Sequence, residues 1–199
     1  MIEDNVTTII MGGGKGTRLG IPKIYYQFRG KPLWSIMYDK FIEYTKEVII
    51  VGLDTDSKAT RNASLLEALK LVKTEKVLVV DISMPLVSNT SIERILSLQR
   101  FKSVTLGYFL NESVYNAHAK TYDSSNDTFL AQPIQLFDKE LLLSGLLDNE
   151  NESFKEYTEI VYKTTGCNPK LAEIPLLETY KLITKDDARV IENIMKASR

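Results

Sequence analysis

The stretch Val6-Thr-Thr-Ile-Ile-Met11-Gly-Gly-Gly-Lys-Gly-Thr-Arg-Leu-Gly20-Ile-Pro-Lys23 decides the fold, because it joins a β-branched strand to a glycine-rich loop. Four glycines open the loop: Gly12, Gly13, Gly14 and Gly16. Three cations lie among and after them: Lys15, Arg18 and Lys23. Glycines let backbone N–H groups approach an anion closely, and a guanidinium can bind two phosphate oxygens at once. The stretch is typical of a loop that binds a nucleoside triphosphate.

Other glycine-rich loops explain this stretch less well. Four glycines after a strand could simply form a mobile turn, but the three cations favour a phosphate ligand. The Walker A pattern GxxxxGK[ST] does not occur in the loop. A dinucleotide fingerprint fits poorly, because such loops bind without a cluster of side-chain cations and no helical pattern begins directly after Gly16.

Length and charge limit the possible functions. The chain has 199 residues, which predicts one domain over 1–199 with a full hydrophobic core. Its formal net charge is -1, so no overall positive field would hold a nucleic acid. The cations of the first loop are therefore interpreted as ligands for a small anion.

The chain has one cysteine and one histidine, and these counts exclude several kinds of site. Cys167 is the only cysteine, which excludes a disulfide framework and a multi-cysteine metal site. His118 is the only histidine, which excludes a multi-histidine zinc site. The sequence shows no signal-peptide pattern and no apolar run of about eighteen residues. We therefore expect a cytoplasmic protein with no membrane partner.

Strand and helix patterns alternate along the chain. Buried strands are predicted at 6–11, 47–51, 76–81 and 104–110. Helices are predicted at 32–44, 64–71, 91–99, 139–147 and 185–195. Thr90 or Ser91 is the expected cap of the third helix, and Thr184 that of the last. The alternation predicts an α/β fold with a mostly parallel sheet covered by helices on both faces.

Two motifs are expected to meet at one edge of this sheet. In open α/β sheets the ligand lies at the carboxyl ends of the strands. The glycine loop follows the first strand and Asp81 ends the third, so both belong to that edge. The polar stretch 111–127 is too long for a simple connection, which predicts a projecting hairpin or loop.

A set of further motifs occurs in a definite order. They are Gly14-Lys-Gly-Thr-Arg18 with Pro22-Lys23, Gly30-Lys-Pro-Leu33, Arg61-Asn-Ala-Ser64, Val79-Val-Asp81-Ile-Ser-Met-Pro85, Gln132-Pro-Ile-Gln135-Leu-Phe137, and Lys181-Leu-Ile-Thr184 with Asp187. In this order the chain resembles the 2-C-methyl-D-erythritol 4-phosphate cytidylyltransferases and their relatives that make CDP-ribitol. The resemblance covers nearly the whole length. It implies a Rossmann-like three-layer nucleotidyltransferase fold with a projecting arm.

The resemblance also implies a reaction and a site. A polyol phosphate would attack the α-phosphorus of CTP and release pyrophosphate. It implies that the triphosphate and its transition state are bound by Arg18, Lys23 and Lys181. It also implies that the nucleotide is contacted by Gly12, Gly13, Arg61 and Ser64, and that Mg²⁺ is bound by Asp81 and Glu178. It further suggests a homodimer, with the arm at 111–127 crossing to the partner.

Departures from the family pattern concentrate on the acceptor side. Met84 stands where the family has an arginine, and 124–127 lacks the arginine that would bind the acceptor phosphate. The acidic Thr-Asp-Asp stretch is not recognisable in 154–159, and an Asp-Thr pair is only echoed by Glu112-Ser113. The motifs for nucleotide binding therefore match the family pattern better than the motifs for acceptor binding.

Several alternatives stay open at this stage. Asp81 could be a turn residue, Ser64 the N-cap of its helix, and Lys181 a solvated lysine. The protein could be a sugar-1-phosphate nucleotidyltransferase with another base and acceptor. It could also be a catalytically weak relative that binds a nucleotide or a partner protein. We place active cytidylyl transfer first, because Arg18, Lys23, Lys181 and Asp81 together suit a transferring phosphoryl group.

Overall fold

The computed structural model describes residues 2–123, 128–149 and 156–197. In these ranges the strands are β1 (Glu3–Met11), β2 (Gln27–Phe28), β3 (Lys31–Pro32), β4 (Thr45–Val51), β5 (Lys76–Asp81), β6 (Ser103–Phe109), β7 (Val114–Asn116), β8 (Thr121–Asp123), β9 (Phe129–Asp138) and β10 (Lys170–Glu173). The α-helices are α1 (Leu33–Ile42), α2 (Arg61–Leu69), α3 (Asn89–Leu96), α4 (Lys139–Leu147), α5 (Tyr157–Thr165) and α6 (Lys185–Ala197). Every predicted strand and helix is present, with shifted bounds in several cases.

Six strands form the main sheet, in the order β10-β6-β9-β5-β1-β4. β1 is parallel to both β4 and β5, and β10 is parallel to β6. β9 runs antiparallel to its neighbours β5 and β6. The prediction of a mostly parallel sheet is confirmed, with one reversed strand.

The sequence analysis did not predict β9. Pro133 lies in its middle, and a proline argues against a central strand because it has no N–H for the ladder. The structure accommodates it where the pairing with β6 shifts register, between Thr105 and Gly107. Gln132 and Gln135 are also buried there, so the strand lacks the apolar run that indicates a buried strand.

Helices cover both faces of the sheet, as predicted. Successive side chains of a strand point to opposite faces. Ile10 packs into a core with residues of α1, α3 and α6, while Ile9 packs into a second core with residues of α2, α4 and α5. The α/β three-layer architecture is therefore confirmed.

Two predicted helix starts are corrected by the structure. α2 begins at Arg61, and its N-cap is Thr60, whose Oγ1 accepts a hydrogen bond from Ala63 N at 3.0 Å. α3 is capped by Ser88 rather than by Thr90 or Ser91, because the Ser88 hydroxyl accepts from Ser91 N. An N-cap oxygen must reach an N–H two or three residues later, so a polar residue inside the first turn cannot serve.

The cap predicted for the last helix is confirmed. Asp187 N donates to Thr184 Oγ1 at 3.2 Å, and the Asp187 carboxylate accepts from Thr184 N at 2.7 Å. This reciprocal pair ties the start of α6 to the segment that carries Lys181, three residues earlier in the chain.

The polar stretch after β6 contains a short hairpin. β7 and β8 pair antiparallel, and the rings of Tyr115 and Tyr122 lie 5.1 Å apart on it. The segment 124–127, where the family arginine was sought, lies outside the described residues. A hairpin rather than an irregular loop is thus present in the described part of the arm, and its role in a homodimer stays a prediction. None of the described helices combines the length and apolar character needed to span a lipid bilayer.

Candidate active site

Three parallel strands end side by side at one edge of the sheet. Met11, the last residue of β1, is in register with Val51 on one side and with Asp81 on the other. The glycine loop leaves from Met11, and Asp81 closes β5. The predicted meeting of these two motifs is therefore observed.

A cavity of about 350 Å³ opens at this edge. Its polar lining includes Lys15, Lys23, Lys58, Arg61 and Asp81. Four cations against one carboxylate make the cavity electropositive, and concave electropositive sites concentrate anionic ligands. The arrangement fits a polyphosphate far better than a neutral or cationic molecule.

Close packing explains why two positions of the loop must be glycine. A Cβ on Gly12 would lie 2.4 Å from Ile24 Cγ2, and one on Gly13 would lie 2.0 Å from Ser57 Oγ. Gly13 and Gly14 both line the cavity. The missing side chains leave the backbone at Gly13 and Gly14 open to the cavity, whereas Gly12 is buried against Ile24, and a contact of these glycines with the nucleotide stays a prediction.

We expect Gly16→Ala to destabilise the protein by more than about 1 kcal/mol. Gly16 has φ of 62°, and its Cβ would lie 1.7 Å from the carbonyl oxygen of Ile21. Gly14→Ala is the matched control, because nothing lies within 4 Å of a Cβ there. Urea denaturation of both variants would check this, and equal stabilities would contradict the assigned loop geometry.

The three cations of the loop occupy different positions. Lys15 and Lys23 line the cavity. Arg18 is exposed and is not among the lining residues, in a turn closed by hydrogen bonds from Leu19 N and Gly20 N to Gly16 O. The structure therefore brings Lys15 and Lys23 to the site, whereas a contact by Arg18 would require the turn to move.

Arg61 and Asp81 form the centre of the site. The guanidinium Nη2 of Arg61 lies 3.4 Å from Asp81 Oδ2, and the same group lies over the Tyr157 ring, 4.8 Å from its centre. Asp81 Oδ1 accepts a hydrogen bond from Ser83 N at 2.8 Å. Asp81 is thus both a turn residue, as the simpler alternative held, and a charged group in the cavity.

Ser64 lines the cavity, but its hydroxyl is engaged by protein. Its Oγ accepts from Lys58 N and donates to Thr60 O, each at 2.9 Å. These two bonds hold the segment 58–60 against α2, and that segment forms one wall of the cavity. Ser64 therefore shapes the wall, and the alternative that it caps α2 is wrong because Thr60 does so.

Glu156 is a site residue that the sequence analysis missed. It directly precedes α5, and Gln135 Nε2 donates to its carboxylate at 2.8 Å. The buried Gln135 also accepts from Tyr157 N and Thr158 N, so it fastens the start of α5 to β9. The only available signal was Gln135 in the Gln-x-Phe motif, and the contact joins positions 21 residues apart.

The carboxylate of Glu156 has an unusual environment. Burial raises the pKa of Glu156 to about 7, although Lys181 and Arg61 lower it, and Asp81 adds to the rise. Lys181 is half-buried and acts electrostatically on Glu156, which in turn interacts with Arg61 and Asp81. Two cations and two carboxylates from four distant segments therefore form one charge cluster beside the cavity.

We expect Glu156→Gln to remove a pH-dependent loss of stability. The folded-state pKa of Glu156 is raised from 4.5 to about 7, so folding favours the protonated carboxyl. The wild type should therefore lose free energy of unfolding relative to the variant as the pH rises from about 4.5 to about 7. Urea titrations at about pH 5 and about pH 8 would measure this difference.

The control for this comparison is Asp186→Asn at the start of α6. Asp186 is in an exposed ion pair with Arg189 at 3.0 Å, so its loss should change stability little at either pH. Stability differences between wild type and Glu156→Gln that do not change with pH would show that Glu156 is not in this environment.

Glu178 is placed elsewhere than the resemblance implied. Its carboxylate is buried and accepts from Ser88 N at 2.9 Å, and it lines a different cavity from Asp81. The short helix Leu176–Thr179 directs it toward the start of α3. The expectation that Glu178 and Asp81 together bind one metal ion is therefore wrong. Within the described ranges no cluster of three His, Cys, Asp or Glu side chains is suited to hold a metal ion.

Comparisons with known proteins find one matching family model and relatives at low sequence identity. The family model of the MobA-like NTP transferase domain matches residues 8–106, which include the glycine loop, Arg61 and Asp81. A curated relative, the bifunctional enzyme IspD/IspF of a Nitratiruptor species, is 24% identical over 218 aligned residues. The match covers 98% of this chain and 56% of that protein, so the chain spans little more than half the length of its relative.

Solved structures share the fold across almost the whole chain. The 2-C-methyl-D-erythritol 4-phosphate cytidylyltransferase of Thermus thermophilus has a TM-score of 0.77 at 19% identity, covering 94% of this chain and 98% of that one. The enzyme of the same name from Francisella tularensis has a TM-score of 0.77 at 22% identity, with the same coverage. The 4-diphosphocytidyl-2C-methyl-D-erythritol synthase of Anaerococcus prevotii has a TM-score of 0.79 at 18% identity, covering 97% and 99%.

Proposed function

We propose that this chain, which matches the family model of the MobA-like NTP transferase domain over residues 8–106 and is similar at low identity to the 2-C-methyl-D-erythritol 4-phosphate cytidylyltransferases, transfers CMP from CTP to a phosphorylated polyol. The products would be a CDP-alcohol and pyrophosphate. Methylerythritol 4-phosphate and ribitol 5-phosphate are the acceptors that the family resemblance implies.

One observation carries the proposal. The cavity at the ends of β1, β4 and β5 is lined by Lys15, Lys23, Lys58 and Arg61 with a single carboxylate, Asp81. A triphosphate supplies the negative charge that such a lining requires, and the open backbone at Gly13 and Gly14 can donate N–H groups to it. Gly12 and Gly13 lie beside the end of β4, where the base would be read.

The reaction needs positioning and charge neutralisation more than proton transfer. A phosphate oxygen of the acceptor bonds to the α-phosphorus, the α–β phosphoanhydride bond breaks, and its electron pair leaves on pyrophosphate. The nucleophile is already anionic, so no general base is required. Lys15 and Lys23 would hold the triphosphate, Lys181 would approach from the side of Glu156, and Arg18 would join if its turn closes on the ligand.

The residues present fit a magnesium ion bound with its nucleotide. Mg²⁺ in such sites takes one or two carboxylates and completes its shell with phosphate oxygens and water. Asp81 is a carboxylate inside the cavity, and its Oδ2 faces Arg61 while Oδ1 is held by Ser83 N. Asp81 would hold the ion, which when bound supplies charge neutralisation at the transferring phosphoryl group.

The second candidate is a nucleotide-binding relative with weak activity. Met84, at the position of a family arginine, is fully buried in the core and adds no charge to the site. Asp81 and Glu156 offset part of the positive charge of Arg61 and Lys181, so that end of the site attracts anions less strongly than the end with Lys15 and Lys23. A sugar-phosphate nucleotidyltransferase with another base stays the alternative among enzymes.

The testing experiment measures pyrophosphate release from CTP, ATP, GTP and UTP with Mg²⁺. The acceptor panel contains methylerythritol phosphate, ribitol phosphate, glycerol phosphate and several sugar phosphates. Release with CTP and one polyol phosphate is the expected result. Release with another nucleotide or a sugar phosphate would favour the enzyme alternative. No release, with CTP still raising the melting temperature, would favour the nucleotide-binding relative.

A further inference from the structure

A second cavity, of about 780 Å³, shares no lining residue with the nucleotide cavity. It lies between the β2–β3 hairpin, α1, the segment 85–89, the short helix Leu176–Thr179 and the end of α6. Its volume falls within the range of small-molecule sites in proteins. The roles proposed above for the glycine loop, Asp81 and Lys181 make no use of it.

The lining combines an apolar interior with a few charged groups. Ile36, Leu86, Leu177, Ile194 and Met195 contribute apolar side chains. Leu177 is 58% exposed on this surface although it is large and apolar. A ligand with an apolar body would remove this surface from water, which favours binding by about 25 cal/mol for each Å² of apolar surface buried.

Two of the charged side chains, Lys40 and Glu178, form hydrogen bonds within the cavity wall. Lys40 Nζ donates to Pro85 O at 2.9 Å and to Val87 O at 2.6 Å. Burial lowers the pKa of Lys40 to about 8, while Glu178 opposes that change. Glu178 itself accepts from Ser88 N. These groups hold the segment 85–88 in place and largely neutralise each other.

The remaining charges are positive. Arg29 and Lys31 are both exposed, and Glu178 is the one carboxylate among the described residues that line the cavity. The Arg29 guanidinium donates to Met195 O, which fixes the cation beside the end of α6. Lys31 shares an exposed ion pair with Asp39, a kind of contact that contributes little in water. The mouth therefore favours an anionic group.

We propose that this cavity binds a small amphipathic anion, with an apolar body inside and one carboxylate, sulfonate or phosphate group at Arg29 and Lys31, and that its occupancy alters the nucleotide site. The second part rests on the proposed function. Two wall segments of the cavity are close in sequence to residues of the nucleotide site. The segment 85–88 follows Asp81, and Glu178 precedes Lys181 by three residues. Leu182 N also donates to Ser83 O at 2.8 Å, which joins the two segments.

The binding test uses 8-anilinonaphthalene-1-sulfonate, an aromatic body with one sulfonate. Fluorescence titration of the full chain should show one site that the probe can still saturate when CTP is saturating. Ile194→Trp, which fills the cavity, should weaken binding about tenfold or more, and Lys31→Glu should weaken it several-fold. Lys46→Glu, at an exposed position on β4, is the matched control and should leave binding unchanged.

Hydrogen exchange provides a second measurement that does not depend on the variants. The probe should slow exchange in the segments 85–88 and 176–182 of the wild type. Competitive displacement by CTP, binding to Ile194→Trp and Lys31→Glu as tight as to the wild type, or protection only in other segments would overturn the proposed site. Because these readouts require no turnover, they stand even if the protein transfers no nucleotide.

Coupling between the cavities is measured separately, as the CTP affinity with and without saturating probe. We expect a change of about fivefold or more, and the same factor should appear in the probe affinity when CTP is saturating. Equal affinities would refute the coupling and leave the binding site as the surviving inference. Failure of CTP to bind would refute both the coupling and the proposed function.

Discussion

Lys23→Ala should lower the rate of nucleotidyl transfer about 100-fold to 1,000-fold and leave the fold intact. Lys23 lines the nucleotide cavity and is half-buried there, so solvent screens its charge less than that of a fully exposed lysine. It begins the short helix Lys23–Tyr25 after the glycine loop and belongs to neither hydrophobic core. The loss should therefore appear in catalysis and nucleotide binding and not in stability.

The measurement pairs steady-state pyrophosphate release with a melting curve for each variant. Lys46→Ala is the control, because Lys46 is an exposed lysine on β4 that does not line the nucleotide cavity. Arg18→Ala extends the test, since a comparable loss would show that the turn at 17–20 closes on the ligand during turnover. If Lys23→Ala unfolds the protein by circular dichroism, the catalytic role assigned to Lys23 is wrong.

Asp81→Asn should remove most of the activity, by about 1,000-fold, together with its dependence on Mg²⁺. The exchange is nearly isosteric, and an asparagine Oδ1 can still accept the hydrogen bond from Ser83 N. The turn after β5 should therefore persist. What is lost is the negative charge, which the proposed metal ion requires and which also pairs with Arg61.

Asp186→Asn is the matched control for this prediction. It breaks another Asp–Arg ion pair, with Arg189 at 3.0 Å. Both of these side chains are largely exposed, and neither has a role in the proposed reaction. Activity titrated against Mg²⁺ would compare the two variants. An Asp81→Asn enzyme that keeps its rate and its response to Mg²⁺ would exclude Asp81 as the metal ligand.

The regular parts of the fold were predictable because their signals are local. β1 and β5 are β-branched runs, and the burial of Val6–Met11 follows directly from that pattern. β9 was missed because Pro133 and two buried glutamines contradict the local signal of a strand. Its place between β5 and β6 results from pairing with strands distant in sequence, which local patterns do not report.

The candidate active site also has one part that local sequence predicts and one part that it does not. The sequence by itself determined the glycine loop, its cations and the position of Asp81 at a strand end, because these lie in contiguous segments. Only the tertiary structure decided that Glu156 lies with Arg61 and Lys181, and that Glu178 turns away toward Ser88. The physical reason is that burial and charge at these carboxylates arise from contacts between segments distant in sequence, such as the bond from Gln135 to Glu156.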